Sequence, residues 1–239
     1  NLNKKKLIFA RDRYGIKPFY FHLNKNKFVF ASELKSILKS GVVEKKVNLQ
    51  SLYHYLSFHW VPGPDTIVKN MEKLEPGSVL EYSLENNSVK KFSWWKPDIN
   101  NIEYKKEILI EKIDKTLEES VNRSTFSDVG YACALSGGLD SQSILGYLNR
   151  LNKKTETYTI GFSNFDEGPF NELENARVAS KHFNTLHNEK IIDFKEYFTE
   201  LDKMVYHLDE PYGGGLPNWH LFKECSKKHK VILTGMGGD

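Results

Sequence analysis

The sequence predicts an α/β protein in which a β-rich part, residues 1–92, precedes a parallel-sheet α/β part, residues 107–239. Three observations predict it. Short apolar and aromatic runs broken by turn residues fill the first part. In the second, strand-like runs alternate with runs of helical period. Between them SWWKPDINNIEYKK, 93–106, carries Pro and Asn with little periodicity and reads as a linker.

In the first part the expected strands are KKLIFARD, PFYFHL, KFVFAS and SVLEYSL, separated by Asn-Lys-Asn, Pro-Gly and Glu-Asn-Asn. Gly15 and Pro18 read as turn formers. Two helices interrupt the strands, SELKSILKS at 32–40 and LQSLYHYLSF at 49–58, with Ser32 and Asn48 as N-caps. Phe19, Tyr20, Phe21, Phe28 and Phe30 are dense and follow a two-residue period, which assigns them to a core rather than to stacking on nucleic-acid bases.

In the second part Ile110, Ile113, Leu117 and Val121 recur at helical spacing. VGYACAL then reads as a strand, SQSILGYLNRL as a helix, TETYTIGF as a strand and FNELENARVASKHF as a helix. NEKII follows as a strand, FKEYFTELDKMVYHL as one helix, NWHLFKECSKKH as another and KVILTG as the last strand. Such alternation implies parallel strands joined by helical crossovers and covered on both faces.

The 34 basic and 31 acidic residues are interspersed, so the net charge of +3 marks no nucleic-acid or membrane surface. The two cysteines, Cys133 and Cys225, lack the spacing of a metal knuckle and suit a reduced chain. No apolar run reaches the roughly 18 residues needed to cross a bilayer, and NLNKKKLIFA has no signal-peptide pattern, so a cytoplasmic location is expected. Opening without Met and stopping at Asp239 inside a glycine-rich loop, the chain reads as a fragment.

LSGGLDS, 135–141, lies between an expected strand and an expected helix. Glycines there permit positive φ and leave backbone N–H groups free to face an anion, and the helix N-terminus adds partial positive charge. Neither the Walker lysine nor the dinucleotide fingerprint is present. Asp140 would repel a phosphate directly, so it is expected to hold Mg²⁺ bridging phosphate oxygens; the plainer alternative is a first-turn helix acid after an ordinary turn.

The run SGGLDS resembles the pyrophosphate (PP) loop of the ATP pyrophosphatase superfamily, whose members cleave ATP between its α- and β-phosphates. Upstream, RDRYGIKPFYF at 11–21 and FVFASELKSIL at 28–38 resemble the closing part of the glutaminase domain of the glutamine-hydrolysing asparagine synthetase family. Downstream, YTIGF at 158–162, ELENAR at 172–177, HNE at 187–189, DEPYGGG at 209–215 and LTGMGGD at 233–239 follow that family's order. The resemblance implies the remnant of an N-terminal, Ntn-type glutamine amidotransferase domain over 1–92 and the N-terminal part of an adenine-nucleotide alpha-hydrolase-like synthetase domain over 107–239.

It also implies the function. The expected activity is a ligase of amino-acid biosynthesis, making asparagine from aspartate, ATP and glutamine-derived ammonia through β-aspartyl-AMP, with AMP and pyrophosphate released. Its substrates are small molecules, with neither nucleic acid nor membrane among its partners, and a homodimer of the full-length parent is allowed. Residue by residue, the resemblance implies that Leu135 and Ile160 contact adenine. Ser136, Gly137, Gly138, Asp140 and Ser141 hold the pyrophosphate and its Mg²⁺, and Thr234 and Gly235 line the nucleotide. Asp140 and Asp239 are the implied catalytic, metal-ligating pair.

Other motifs have plainer readings. Asp209-Glu210-Pro211-Tyr212, ahead of three glycines, is either a substrate-lining segment or an ordinary loop. Arg177 is expected to pair with Glu174 on its own helix, and His187 and Glu189 carry no assigned catalytic role.

Two departures qualify the resemblance. A class II glutaminase uses an N-terminal Cys as nucleophile, which is absent as given, and neither Cys133 nor Cys225 is placed to replace it, so this chain is not expected to hydrolyse glutamine. Met236 stands where the family usually has an acidic residue that handles incoming ammonia. A thioether has no useful basicity, so either another group does that work or the nucleophile is not ammonia. The alternatives are therefore a paralogue forming another amide or lactam, or a non-catalytic nucleotide-binding module.

Overall fold

The computed structural model describes residues 1, 3–24, 27–99, 105–163, 172–213 and 215–237. Two compact units are formed, Asn1–Asn100 with Asp202–Gly214, and Asn101–Leu201 with Gly215–Asp239.

The first unit contains β1 (Lys6–Ala10), β2 (Tyr20–Leu23), β3 (Phe28–Ala31), β4 (Glu72–Lys73), β5 (Ser78–Ser83) and β6 (Val89–Ser93). They make two antiparallel sheets, ordered β1-β5-β6 and β3-β2-β4. Neighbouring residues on a strand face opposite ways. Tyr20 of β2 accordingly joins Leu34, Ile37, Val43, Val68 and Met71, whereas Phe21 joins Leu74, Leu80 and Tyr82. The aromatic run is largely core, as its period indicated, although Phe30 is 45% exposed with its ring stacked on Phe19. The strands β4 and β6 escaped the sequence reading, one because it has two residues and the other because Lys90 and Lys91 interrupt it.

Helices α1 (Leu34–Lys39) and α2 (Leu49–Phe58) complete this part. The second matches its expected bounds, with Asn48 Oδ1 accepting from the N–H groups of Gln50 and Ser51 at 3.2 and 3.4 Å. The first begins later than expected and Ser32 does not cap it. The N-cap residue is Glu33, which makes no side-chain cap bond. Instead the N–H groups of Leu34 and Lys35 donate to Asp209, at 3.0 and 3.2 Å, satisfying amides that a helix start otherwise leaves open.

The second unit runs α3 (Lys106–Ser124), β7 (Tyr131–Ala134), α4 (Leu139–Arg150), β8 (Glu156–Phe162), α5 (Leu173–His182), β9 (Leu186–Ile192) and α6 (Phe194–Thr199). Next comes α7 (Leu201–Leu208), which from Asp202 belongs to the first unit, and the second unit resumes with α8 (Gly215–Cys225) and β10 (Val231–Leu233). The four strands are parallel in the order β10-β7-β8-β9. Both faces are covered. Cys133 packs with Val121 and Leu148, while its neighbour Ala132 packs with Tyr158 and Cys225. A third cluster joins Leu135 and Leu145 to Ala176 and Ala179 of α5.

Two expectations are corrected here. The helix expected over 194–208 is two helices, because the chain breaks at Glu200, whose carboxylate is held by Trp219 Nε1 at 3.3 Å and Lys223 Nζ at 2.9 Å. Arg177 pairs with Glu189 through two bonds of 2.7 Å rather than with Glu174, because β9 offers a bidentate carboxylate. Among the described residues no helix is long and apolar enough to cross a membrane.

Candidate active site

In the parallel sheet β7 is flanked by β8 on one side and by β10, the last strand, on the other. The chain moves outward from β7 through β8 to β9 and then returns to β7's free edge. Open α/β sheets bind ligands beyond the carboxyl ends of strands at such a reversal. A cavity of about 530 Å³ lies there, lined by Leu135, Ser136, Asp140, Ser141, Ile160 and Thr234 among others.

The loop from β7 into α4 is shaped by two serines and a glycine. Ser136 and Ser141 bring their hydroxyl oxygens within 3.1 Å, Ser141 Oγ also donates to Gly138 O at 3.1 Å, and Gly138 N donates to Ser136 Oγ at 3.2 Å. Gly137 has φ +80, the left-handed region that favours glycine. A Cβ there would lie 2.4 Å from Asn175 Cβ and 2.8 Å from Ala176 N, so the loop sits directly on the first turns of α5. Gly138 is extended, with φ −76, and as the N-cap of α4 it has no side chain with which to satisfy the helix's first amides.

Gly235, just past β10, approaches the same loop from the other side. A Cβ on it would lie 2.6 Å from both Asp140 C and Ser141 N. Two motifs far apart in the sequence are thus in backbone contact. Leu135 is buried beneath them, its N–H donating to Tyr158 O at 2.9 Å and its carbonyl accepting from the Thr159 hydroxyl.

Among the described residues lining the cavity the ionisable side chains are Asp140, Glu172 and Tyr158; no lysine or arginine is among them. The Asp140 carboxylate makes no hydrogen bond or ion pair within the described residues. Burial pushes the carboxyl of Glu172 above its ordinary value. Met236 lines the rim and is 63% exposed. Among the described residues no three His, Cys, Asp or Glu side chains gather into a metal cluster.

The sequence-derived residues Leu135, Ser136, Asp140, Ser141, Ile160, Thr234 and Gly235 come together at this cavity, with Gly137 and Gly138 in the adjoining loop. Asp239 lies outside the described residues. Asp209 and Glu210, read as either a substrate-lining segment or an ordinary loop, pair with Lys35 and Lys73 at 3.1 and 2.9 Å within the first unit. Gly213 makes a close backbone approach within the first unit, its N–H donating to His59 O at 3.0 Å. Sequence reasoning missed Glu172, Asn218 and Leu221 as lining residues. Glu172 was legible only as part of the ELENAR marker, and the other two only as the opening of a helix. Both cysteines are buried free thiols, and burial pushes Cys133 up to about 12.

Comparison with known proteins gives a family for each part. A family model described as "Asparagine synthase" matches residues 112–239, and one described as "Glutamine amidotransferase domain" matches residues 1–95. The protein named "Putative asparagine synthetase, glutamine-hydrolyzing, 2" of Methanocaldococcus jannaschii is 35% identical over 99% of this chain and 46% of its own length. Glutamine-hydrolyzing asparagine synthetase 1 of Bacillus subtilis is 30% identical over 100% of this chain and 37% of its own. The chain thus spans less than half the length of either relative. Among solved structures, the NH3-dependent NAD synthetase of Campylobacter jejuni is 19% identical, with a TM-score of 0.33 over 51% of this chain and 54% of that one.

Proposed function

Since the chain belongs to the asparagine synthase family, we propose that its parent is an ATP-dependent amidating ligase that makes asparagine from aspartate and glutamine-derived ammonia. The observation that carries this reading is the backbone contact of Gly235 with Asp140 and Ser141 above the strand ends. It closes a cleft of mixed apolar and polar lining on a loop with the properties of a phosphate cradle.

The residues fit a nucleotide bound with a divalent cation. Side chains at 137 and 235 would collide with α5 and with the loop's own backbone and so deform the cradle, the first amides of α4 have no capping side chain, and among the described residues the lining offers a carboxylate without a partner and no basic residue. A polyphosphate entering such a site needs a counter-ion, and one carboxylate with phosphate oxygens is a usual Mg²⁺ environment. When bound, Mg²⁺ would neutralise charge on the phosphates. Asp140 would hold it, with Asp239 as the second acid.

In this reading Leu135 and Ile160 bracket the adenine, Ser136 and Ser141 keep the loop in register, and Gly137, Gly138, Thr234 and Gly235 present backbone to the phosphates. The β-carboxylate of aspartate attacks the α-phosphorus, a new O–P bond forms, and pyrophosphate departs. Ammonia then attacks the acyl carbon and AMP leaves in place of an oxide, a far poorer leaving group. The parent is proposed to act in the cytoplasm, with a homodimer as its assembly.

Product analysis of the full-length parent with ATP, Mg²⁺, aspartate and ammonia tests the proposal. AMP, pyrophosphate and asparagine are expected; ADP and phosphate would reject it. Met236 at the cavity rim favours one second reading, in which the same activation serves another carboxylate or amine. ATP–pyrophosphate exchange across a panel of carboxylates separates the two, since exchange with aspartate alone removes the second.

A further inference from the structure

Amide formation needs more than an activated carboxylate. The attacking amine must shed a proton as the C–N bond forms, and an amine that keeps it is expelled again in preference to AMP. Among the described residues the cavity offers few groups able to take that proton. The Met236 thioether is not a base, and the Ser136, Ser141, Thr159 and Thr234 hydroxyls are not bases near neutral pH. The Tyr158 hydroxyl is turned to Glu156 Oε2, at 3.4 Å. Asp140 belongs, under the proposed function, to the cation.

Glu172 remains. It is the N-cap residue of α5, where a carboxylate would ordinarily bond the helix amides, yet it makes no side-chain cap bond. Nor does it form a hydrogen bond or ion pair with any described residue, although it lines the cavity. Its position is also anchored. Gly137 packs on Asn175 and Ala176 so closely that no side chain fits between them, which fixes the start of α5 against the loop assigned to the phosphates. The start of α5 is therefore fixed against that loop, and Glu172 faces the cavity with no bonding partner among the described residues.

We propose that Glu172 is the general base that accepts the proton of the attacking amine. Neutral ammonia adds to the acyl carbon and forms the C–N bond. Glu172 takes one N–H proton, the C–O bond to AMP breaks with its electron pair retained by the phosphate, and the carboxyl returns its proton to solvent. Glu172 keeps an exposed face, and the partial desolvation of its carboxyl moves its proton affinity upward, toward that of a base working near neutral pH. The inference rests on the proposed ligase reading and supplies the proton acceptor that Met236 cannot.

The test uses the full-length parent and two readouts on Glu172→Gln, which keeps size and removes basicity. ATP–pyrophosphate exchange with the carboxylate substrate reports activation alone and is expected to stay within about twofold of wild type. Ammonia-dependent amide formation is expected to fall roughly 100-fold or more, the usual contribution of a general base. The acidic limb of its pH profile should disappear, and Glu172→Asp should recover part of the rate. Unchanged amide formation in Glu172→Gln overturns the inference. A parallel loss of exchange and amide formation also overturns it, because it places Glu172 with the nucleotide or the cation. Wild-type protein without exchange for any carboxylate removes the ligase reading itself, which is a different outcome from either.

Discussion

The carboxylate of Asp209 caps a helix that begins at Leu34: Oδ2 accepts from the Leu34 N–H at 3.0 Å, and Oδ1 takes the Lys35 N–H and ammonium at 3.2 and 3.1 Å. Asp209 itself has φ +65, a conformation in which Asp and Asn are among the best-tolerated side chains. Asp209→Ala is expected to cost about 2 kcal/mol, from the lost cap and from a largely buried Lys35 left with Glu33 as its one remaining carboxylate among the described residues. Asp209→Asn keeps a cap acceptor and the backbone tolerance, and is expected to lose about half as much. Urea unfolding of the two variants measures the difference.

Gly137→Ala and Gly235→Ala each push a methyl group into backbone less than 3 Å away. Each is expected to weaken Mg-ATP binding by about tenfold or more, the equivalent of about 1.4 kcal/mol. Gly130→Ala, whose added carbon meets nothing nearer than His229 Nδ1 at 3.7 Å, is the comparison and should bind normally. Titration calorimetry reads all three.

Leu148 is fully buried beside Val121 and Cys133, so Leu148→Ala should destabilise the protein by about 2–5 kcal/mol. Leu117, 42% exposed on α3, should cost under about 1 kcal/mol when replaced by Ala. Thermal melts would show a large fall in the first variant and a small one in the second.

Glu156 accepts from Lys228 and lies 3.4 Å from His229 Nε2, and these neighbours hold its carboxyl below the ordinary glutamate value. A carboxyl depressed in the folded state contributes stability that is complete above its unfolded value, about 4.3. That contribution fades below this value and is gone once pH has fallen through the folded one. Glu156→Gln should therefore melt below wild type at pH 7, with the gap closing as the buffer is acidified. A gap that widened in acid would contradict the assignment.

Local chemistry made much of this legible. The bounds of α2 and its Asn48 cap follow from the neighbouring residues alone, and so do the parallel strands, whose apolar runs are short and well punctuated. The Ser32 cap failed because Asp209, remote in sequence, supplies that bond. The split at Glu200 and the Arg177–Glu189 pair depend on partners in other elements, which no local pattern encodes. The site divides the same way. Its glycines and Asp140 announce themselves as motifs, whereas Glu172, Asn218 and Leu221 become wall residues only when helices are set against the sheet. The α3 stripe shows the converse: Ile110, Ile113 and Leu117 repeat like core positions yet are 57%, 49% and 42% exposed.

The strand order has a kinetic corollary. One wall of the cleft comes from the turn after β7 and the opposing wall from the turn after β10, the first and last strands of the sheet. Contacts between such distant stretches form slowly, because a long loop must close before they repay its entropy. Competence to capture a nucleotide should therefore be acquired late during refolding, and a fluorescent ATP analogue added to refolding protein should light up after the far-ultraviolet dichroism has already recovered.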